Sequence, residues 1–143
     1  MIPNLRFPEY ESTWKRDKLG SLVFIITDYV ASGSFASLRE NVRVLEKPEE
    51  GSAIYVRLTD LRVGLKGSLK FVDPESYRFL SKSNLHGGEL LMANIGANVG
   101  DVYLMPKIQR PATIAPNMLV IRENKEILLN SFLYQFFYDL VFL

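Results

Sequence analysis

Gly88-Glu89-Leu90-Leu91-Met92-Ala93-Asn94-Ile95-Gly96-Ala97-Asn98-Val99-Gly100-Asp101-Val102-Tyr103-Leu104-Met105 holds two apolar runs, 89–95 and 101–105, on either side of a glycine-bounded turn. Short apolar runs closed by glycine are strand signals, and two of them around such a turn predict a β-hairpin. Gly96 and Gly100 supply the positive φ that the turn needs, and Asn98 tolerates the same region. The loop superficially matches a phosphate-binding loop. It lacks Gly-Lys-Ser/Thr and leads into a strand where a nucleotide loop would open a helix, so that reading fails.

Outward from the hairpin, residues 118–122 (Met-Leu-Val-Ile-Arg) predict a further strand, and upstream the β-branched and aromatic run 22–27 predicts a buried one. Residues 31–37 are small and turn-prone, which suggests a polar loop with an exposed aromatic, Phe35, in its middle. Strands are expected at 53–58 and 69–72, with a turn at Gly64 and Gly67 between them. Asp73 and Pro74 suit the cap and first position of a short helix that sends Tyr77 and Leu80 toward the core. From 126 to 143 the polar residues Ser131, Gln135 and Asp139 recur every four positions. That spacing predicts a helix whose apolar arc is wider than one core contact needs. Residues 1–20 read as an irregular arm pinned by Leu5, Phe7 and Trp14. Together these signals predict one α+β domain over 1–143, with a mixed, largely antiparallel sheet core, a few helices and a C-terminal helix.

Composition is that of an ordinary globular chain: 143 residues, 48% hydrophobic and 23% charged. A chain this long buries enough surface to fold without metal or disulfide. The absence of cysteine excludes disulfides, thiolate zinc sites and cysteine nucleophiles. The N-terminus lacks the long apolar core of a signal peptide, and no uncharged run spans a membrane before the last residues, so a cytoplasmic protein with no membrane partner is expected. Seventeen basic and 16 acidic side chains leave a net charge of +1, so total charge does not mark a nucleic-acid binder. Distribution is more informative, because 57–82 carries Arg57, Arg62, Lys66, Lys70, Arg78 and Lys82 against Asp60, Asp73 and Glu75. The single histidine, His86, sits in a loop-like stretch with no metal or nucleophile partners in view. No catalytic constellation, metal set or cofactor motif stands out.

Asn4-Leu5-Arg6-Phe7-Pro8, followed by Trp14 and 18–22 (Lys-Leu-Gly-Ser-Leu), resembles the beginning of type I restriction-modification specificity subunits. The stretch 88–100 looks like that family's late Gly-Asp/Glu-hydrophobic-Leu signature with its two spaced glycines, and 116–121 and 130–134 sit where the family places its last strand and following helix. Each motif is loose; their order and spacing are more specific. The resemblance implies a single target recognition domain that reads double-stranded DNA for methyltransferase and restriction subunits. Methyl transfer, ATP use and cleavage would belong to those partners, and this chain would be non-catalytic with no cofactor. The family plan has two such domains joined by long helices, so a chain ending at Leu143 suggests a half-subunit, a fragment or a truncated chain.

DNA readers need Arg or Lys for guanine edges, Asn or Gln for adenine, and hydroxyls or amides for phosphates. The candidates are Ser34, Ser37, Arg39, Arg43, Arg57, Arg62 and Lys66, with Arg57 and Arg62 expected to touch phosphates. Phe136, Phe137, Leu140 and Phe142 are candidates for an assembly surface on the terminal helix, toward partner subunits or a second copy. Two other classes stay open: a protein-interaction domain on the same scaffold, and a small enzyme of unfamiliar type, for which no residues are nominated.

Overall fold

The computed structural model describes residues 8, 9, 13 and 15–141, with the side chains of 140 and 141 excepted. Along the chain the elements are α1 (Leu19–Leu22), β1 (Val23–Asp28), α2 (Phe35–Asn41), β2 (Val44–Leu45), β3 (Ala53–Val56), α3 (Leu58–Arg62) and β4 (Lys70–Val72). They continue with α4 (Pro74–Phe79), β5 (Asn84–Leu85), β6 (Leu90–Ala93), β7 (Val102–Leu104), β8 (Ala112–Ile114), β9 (Met118–Glu123) and α5 (Asn130–Val141). One sheet has the order β1-β9-β6-β7 and is antiparallel throughout; the other, β2-β4-β3-β8-β5, is antiparallel except for the β3–β8 pair. The fold is α+β with mixed, largely antiparallel sheets and a C-terminal helix, the class indicated by the sequence.

Alternation within the hairpin organises the layers. Leu91 of β6 and Met118 and Val120 of β9 share a core with Ile54, Val56 and Ile114 of the second sheet. Their strand neighbours Leu90 and Ile121, with Val102, turn to the opposite face and meet Leu133 of α5. The central strand β6 of the first sheet is thus buried on both faces, which is why it is a near-continuous apolar run. β3 and β8 are buried along their whole length for the same reason.

Several expected elements differ. Of the run 22–27, Leu22 ends α1 and the rest lies in β1, and the strand expected to be buried is at the edge of its sheet, with Phe24 78% and Ile26 43% exposed. Apolar β-branched composition specifies extended backbone and leaves the position within the sheet open. The expected loop at 31–37 becomes a 3-10 turn (Tyr29–Ser32) and the first turn of α2, capped by Ser34 Oγ accepting from Ser37 N–H at 3.2 Å. Phe35 is exposed, as its loop-like setting suggested. The terminal helix begins at Asn130 and not at 126, because Asn124 O closes a turn with the N–H groups of Ile127 and Leu128, and the Glu123 carboxylate accepts the Asn130 N–H. Leu5, Phe7 and Trp14 of the expected arm lie outside the described residues.

Asp73 caps α4 as expected, its Oδ1 accepting from Ser76 N–H at 2.8 Å, with Pro74 in the first turn. Burial alone would raise the Asp73 carboxyl. The hydrogen bonds from Ser76, helped by Arg43, outweigh it and hold the group below its ordinary 3.8. A depressed folded pKa stabilises above the unfolded value and ceases to do so as pH falls through the folded value. Asp73→Ala should cost about 1 kcal/mol at neutral pH in urea unfolding, and the difference from wild type should shrink at pH values below the ordinary carboxylate range.

Candidate nucleic-acid interface

Strand direction sorts the candidate cations. β4 is antiparallel to both β2 and β3, so β2 and β3 run the same way. Segments preceding β2 or following β4 therefore sit at one end of the second sheet, and segments following β2 or β3 sit at the other. Ser34, Ser37, Arg39 and Arg43 lie at the first end with α4, where Arg43 N–H donates to Ser76 Oγ at 2.8 Å. Arg57, Arg62 and Lys66 lie at the second, beside Lys70 at the start of β4. The seven candidates thus form two separate clusters, and the basic stretch 57–82 is divided between both ends by β4.

Most of these groups are already engaged. Ser34 is spent on its helix cap, and Ser37 supplies the N–H donated to that cap. Arg43 pairs with Glu49 at 3.3 Å in an exposed contact. Arg57 is held from two directions: its Nε and Nη2 reach Asp60 at 2.9 and 2.6 Å, and Nη2 also reaches Ser68 O at 2.8 Å. Asp60 is 3% exposed, and it also accepts the Arg57 backbone N–H at 2.8 Å, closing the first turn of α3. Arg57 is a structural clamp on the 57–68 loop, with its side chain still about a third exposed, at 34%. The hydrogen bond to Asp60 raises its pKa above the ordinary value, against the effect of desolvation.

Arg62 bridges α3 to the hairpin turn, donating to Asn98 Oδ1 and to Asp101 Oδ2, the latter at 3.2 Å, with Tyr103 Oη at 3.4 Å. Hydrogen bonds to Tyr103 and Asp101 raise its pKa. Arg39 and Lys66, by contrast, are exposed, and their side chains make no hydrogen bond or ion pair among the described residues. Lys66 follows Leu65, which with Gly64 holds positive φ (61° for each) in a tight turn that presents the lysine outward. Lys47, at the same end just after β2, is likewise exposed and unpaired among the described residues, and the sequence reading passed over it.

In the hairpin turn, Gly96 and Gly100 have φ of 86° and 95°, as expected. Asn98 does not share that region; the non-glycine residues with positive φ are Leu65 and Asn117 among those described. Asn98 serves instead as the acceptor for Arg62, a role its amide chemistry allows but its sequence neighbours do not reveal. The turn carries exposed Ile95 and Val99. At the other end of β6, Glu89 is buried and accepts the N–H groups of His86 and Gly87 at 2.6 and 2.8 Å. The acidic residue of the 88–100 stretch therefore organises a loop. The consecutive glycines Gly87 and Gly88, with φ of 98° and 89°, were the available signal. His86 itself is on the surface.

On α5, Phe136 is 51% exposed, whereas Phe137 is half-buried and packs against the core under the helix. This separates two residues that the sequence grouped together; the side chains of Leu140 and Phe142 lie outside the described residues. Between α5 and the segment 15–22 runs an apolar groove of about 630 Å³, lined by Leu19, Leu22, Leu128 and Phe136 and rimmed by Lys15 and Arg16. Among the described residues no helix is long and apolar enough to cross a membrane, and no acidic, histidine or cysteine cluster could hold a metal ion. No protein-family model matches the chain, and no curated protein matches it.

Proposed function

We propose that this chain is a double-stranded DNA recognition module, a target recognition domain of the type I specificity-subunit kind. It acts without a catalytic group or cofactor of its own and directs partner methyltransferase and restriction subunits. The observation carrying this reading is the end of the second sheet where Lys47 and Lys66 are exposed and unpaired among the described residues, beside Arg62 at the end of α3 and Lys70 at the start of β4, with the loop that carries Lys66 tied down by Arg57 to Ser68 O. Charged groups on fixed loops lose little entropy on meeting phosphates. The motif order along the chain supports the same reading.

Lys66→Ala should weaken duplex binding across all sequences and reduce the slope of log affinity against log salt by about 0.9, one phosphate contact. Arg57→Ala, once its stability loss is allowed for, should leave that slope unchanged. Selection from random duplex DNA, with the methyltransferase subunit present, tests the whole reading: an enriched motif supports it. A folded complex that enriches nothing at low salt overturns it. Adding S-adenosylmethionine, or ATP and magnesium, to the pure chain should produce neither methylation nor cutting.

A protein-interaction domain on the same scaffold is the second reading, favoured by the apolar groove beside α5 with Phe136 in its wall. In the first reading the same surface receives a partner subunit. Phe136→Asp, made without loss of folding, separates the two by whether DNA selection survives when subunit association is lost.

A further inference from the structure

β1 is the outer strand of its sheet and, among the described residues, pairs on one side only, with β9. The neighbouring ladder fixes where its backbone groups point. Asn94 N–H donates to Asn117 O at 3.1 Å, which marks 94 and 117 as a hydrogen-bonded pair of the β6–β9 register. Antiparallel alternation then directs 119 and 121 toward β6, and 118, 120 and 122 toward β1. Ile25 and Thr27, opposite Arg122 and Val120, therefore bond inward. Ile26 turns its N–H and C=O to the free edge.

The side chains there are apolar as well: Phe24, Ile25 and Ile26 are 78%, 38% and 43% exposed. A register shift between Val23 and Ile25 is a bulge that turns Phe24 outward. Natural edge strands are guarded by lysine, proline, other charges or bulges; Val23–Asp28 has no lysine or proline, and its guards are the bulge and Asp28 at its end.

We infer that β1 is a homodimerisation edge: two copies pair β1 to β1, antiparallel, across a two-fold axis at Ile26, joining two four-stranded sheets into one of eight strands. The occupant is a second copy because the edge is complementary to itself. On the axis each Ile26 N–H donates to the other copy's Ile26 C=O, and Ile25 of one copy lies beside Thr27 of the other. This register sets Asp28, the strand's one charged residue, opposite Phe24 of the second copy. The two carboxylates are thereby kept roughly 13 Å apart, by four residues of strand rise, so like charges do not oppose pairing. The surface covered is on the order of several hundred Å² per copy, the low end for a specific contact, which makes the dimer weak and reversible.

Sedimentation velocity of the whole chain, from about 10 µM to about 1 mM, should show a monomer passing into a dimer, as a contact this small requires. Hydrogen exchange at the Ile26 amide should slow about fivefold or more over that range, while the inward-bonded Thr27 amide stays unchanged. This readout needs no variant. Ile26→Lys should weaken association at least tenfold, and Ile26→Pro should also weaken it by removing an N–H that β9 does not use. Phe136→Asp should leave it intact. A chain that stays monomeric throughout, an Ile26 amide indifferent to concentration, or a dimer abolished by Phe136→Asp and untouched by Ile26→Lys would each overturn the assignment.

Discussion

Arg57→Ala should lower the free energy of unfolding by about 2 to 3 kcal/mol. The reason is the carboxylate it leaves behind. Asp60 is almost completely buried and receives three hydrogen bonds from Arg57, two from the guanidinium and one from the backbone N–H. Alanine keeps only the last. Removing one partner of a buried ion pair costs about 3 to 5 kcal/mol. The lower figure applies here because the Arg57 side chain is about a third exposed, at 34%, and solvent screens part of the interaction. The guanidinium also ties down Ser68 O, so the Gly64–Gly67 turn should loosen in the variant. Urea unfolding measures the cost, and the double variant Arg57→Ala, Asp60→Asn should recover about 1 kcal/mol because the stranded charge is gone. A single variant within about 0.5 kcal/mol of wild type, in the range of ordinary surface changes, combined with a reduced salt slope in DNA binding, would return Arg57 to the role of phosphate contact.

Arg57 also shows where sequence reasoning stops. The spacing Arg57-x-x-Asp60 is visible in the chain, but whether the arginine faces solvent or its own helix start depends on the burial of Asp60, a tertiary property. The hairpin was legible because Gly96 and Gly100 enclose the turn between two strong apolar runs. α4 was legible because Asp73-Pro74 is a specific start signal. β2 and β5 are two residues long, α3 is five and α2 seven, too short for either periodicity to register. β8 lies just beyond Pro111, close to a loop in composition, and is a strand because β3 and β5 enclose it. Of the candidate interface, residue types and the local basic stretch could be read directly. Its division between two ends of a sheet could not, since that follows from β4 reversing direction.

The largest expected effect concerns two adjacent leucines, Leu90 and Leu91, whose side chains occupy different cores. Both are fully buried, and replacing either with alanine should cost about 3 to 4 kcal/mol, the loss of transfer energy plus the cavity left behind. The consequences should diverge in space. Leu91 stands between the two sheets with Val56, Ile114 and Val120, so Leu91→Ala should weaken the central strands along with everything else, a global loss. Leu90 stands with Val102, Ile121 and Leu133 beneath α5, in a smaller cluster that holds one helix against the first sheet. Leu90→Ala should therefore open α5 before the rest of the molecule. Hydrogen exchange distinguishes the two: in Leu90→Ala the α5 amides should lose protection far more than those of β3 and β8, whereas in Leu91→Ala the loss should be uniform. Because α5 carries the exposed face with Phe136, the first variant should also weaken association with any partner seated there, while the DNA contacts proposed near Lys66 should persist. Equal and uniform loss in both variants would mean that α5 and the sheets unfold as one unit, and that the helix is not a separable docking element.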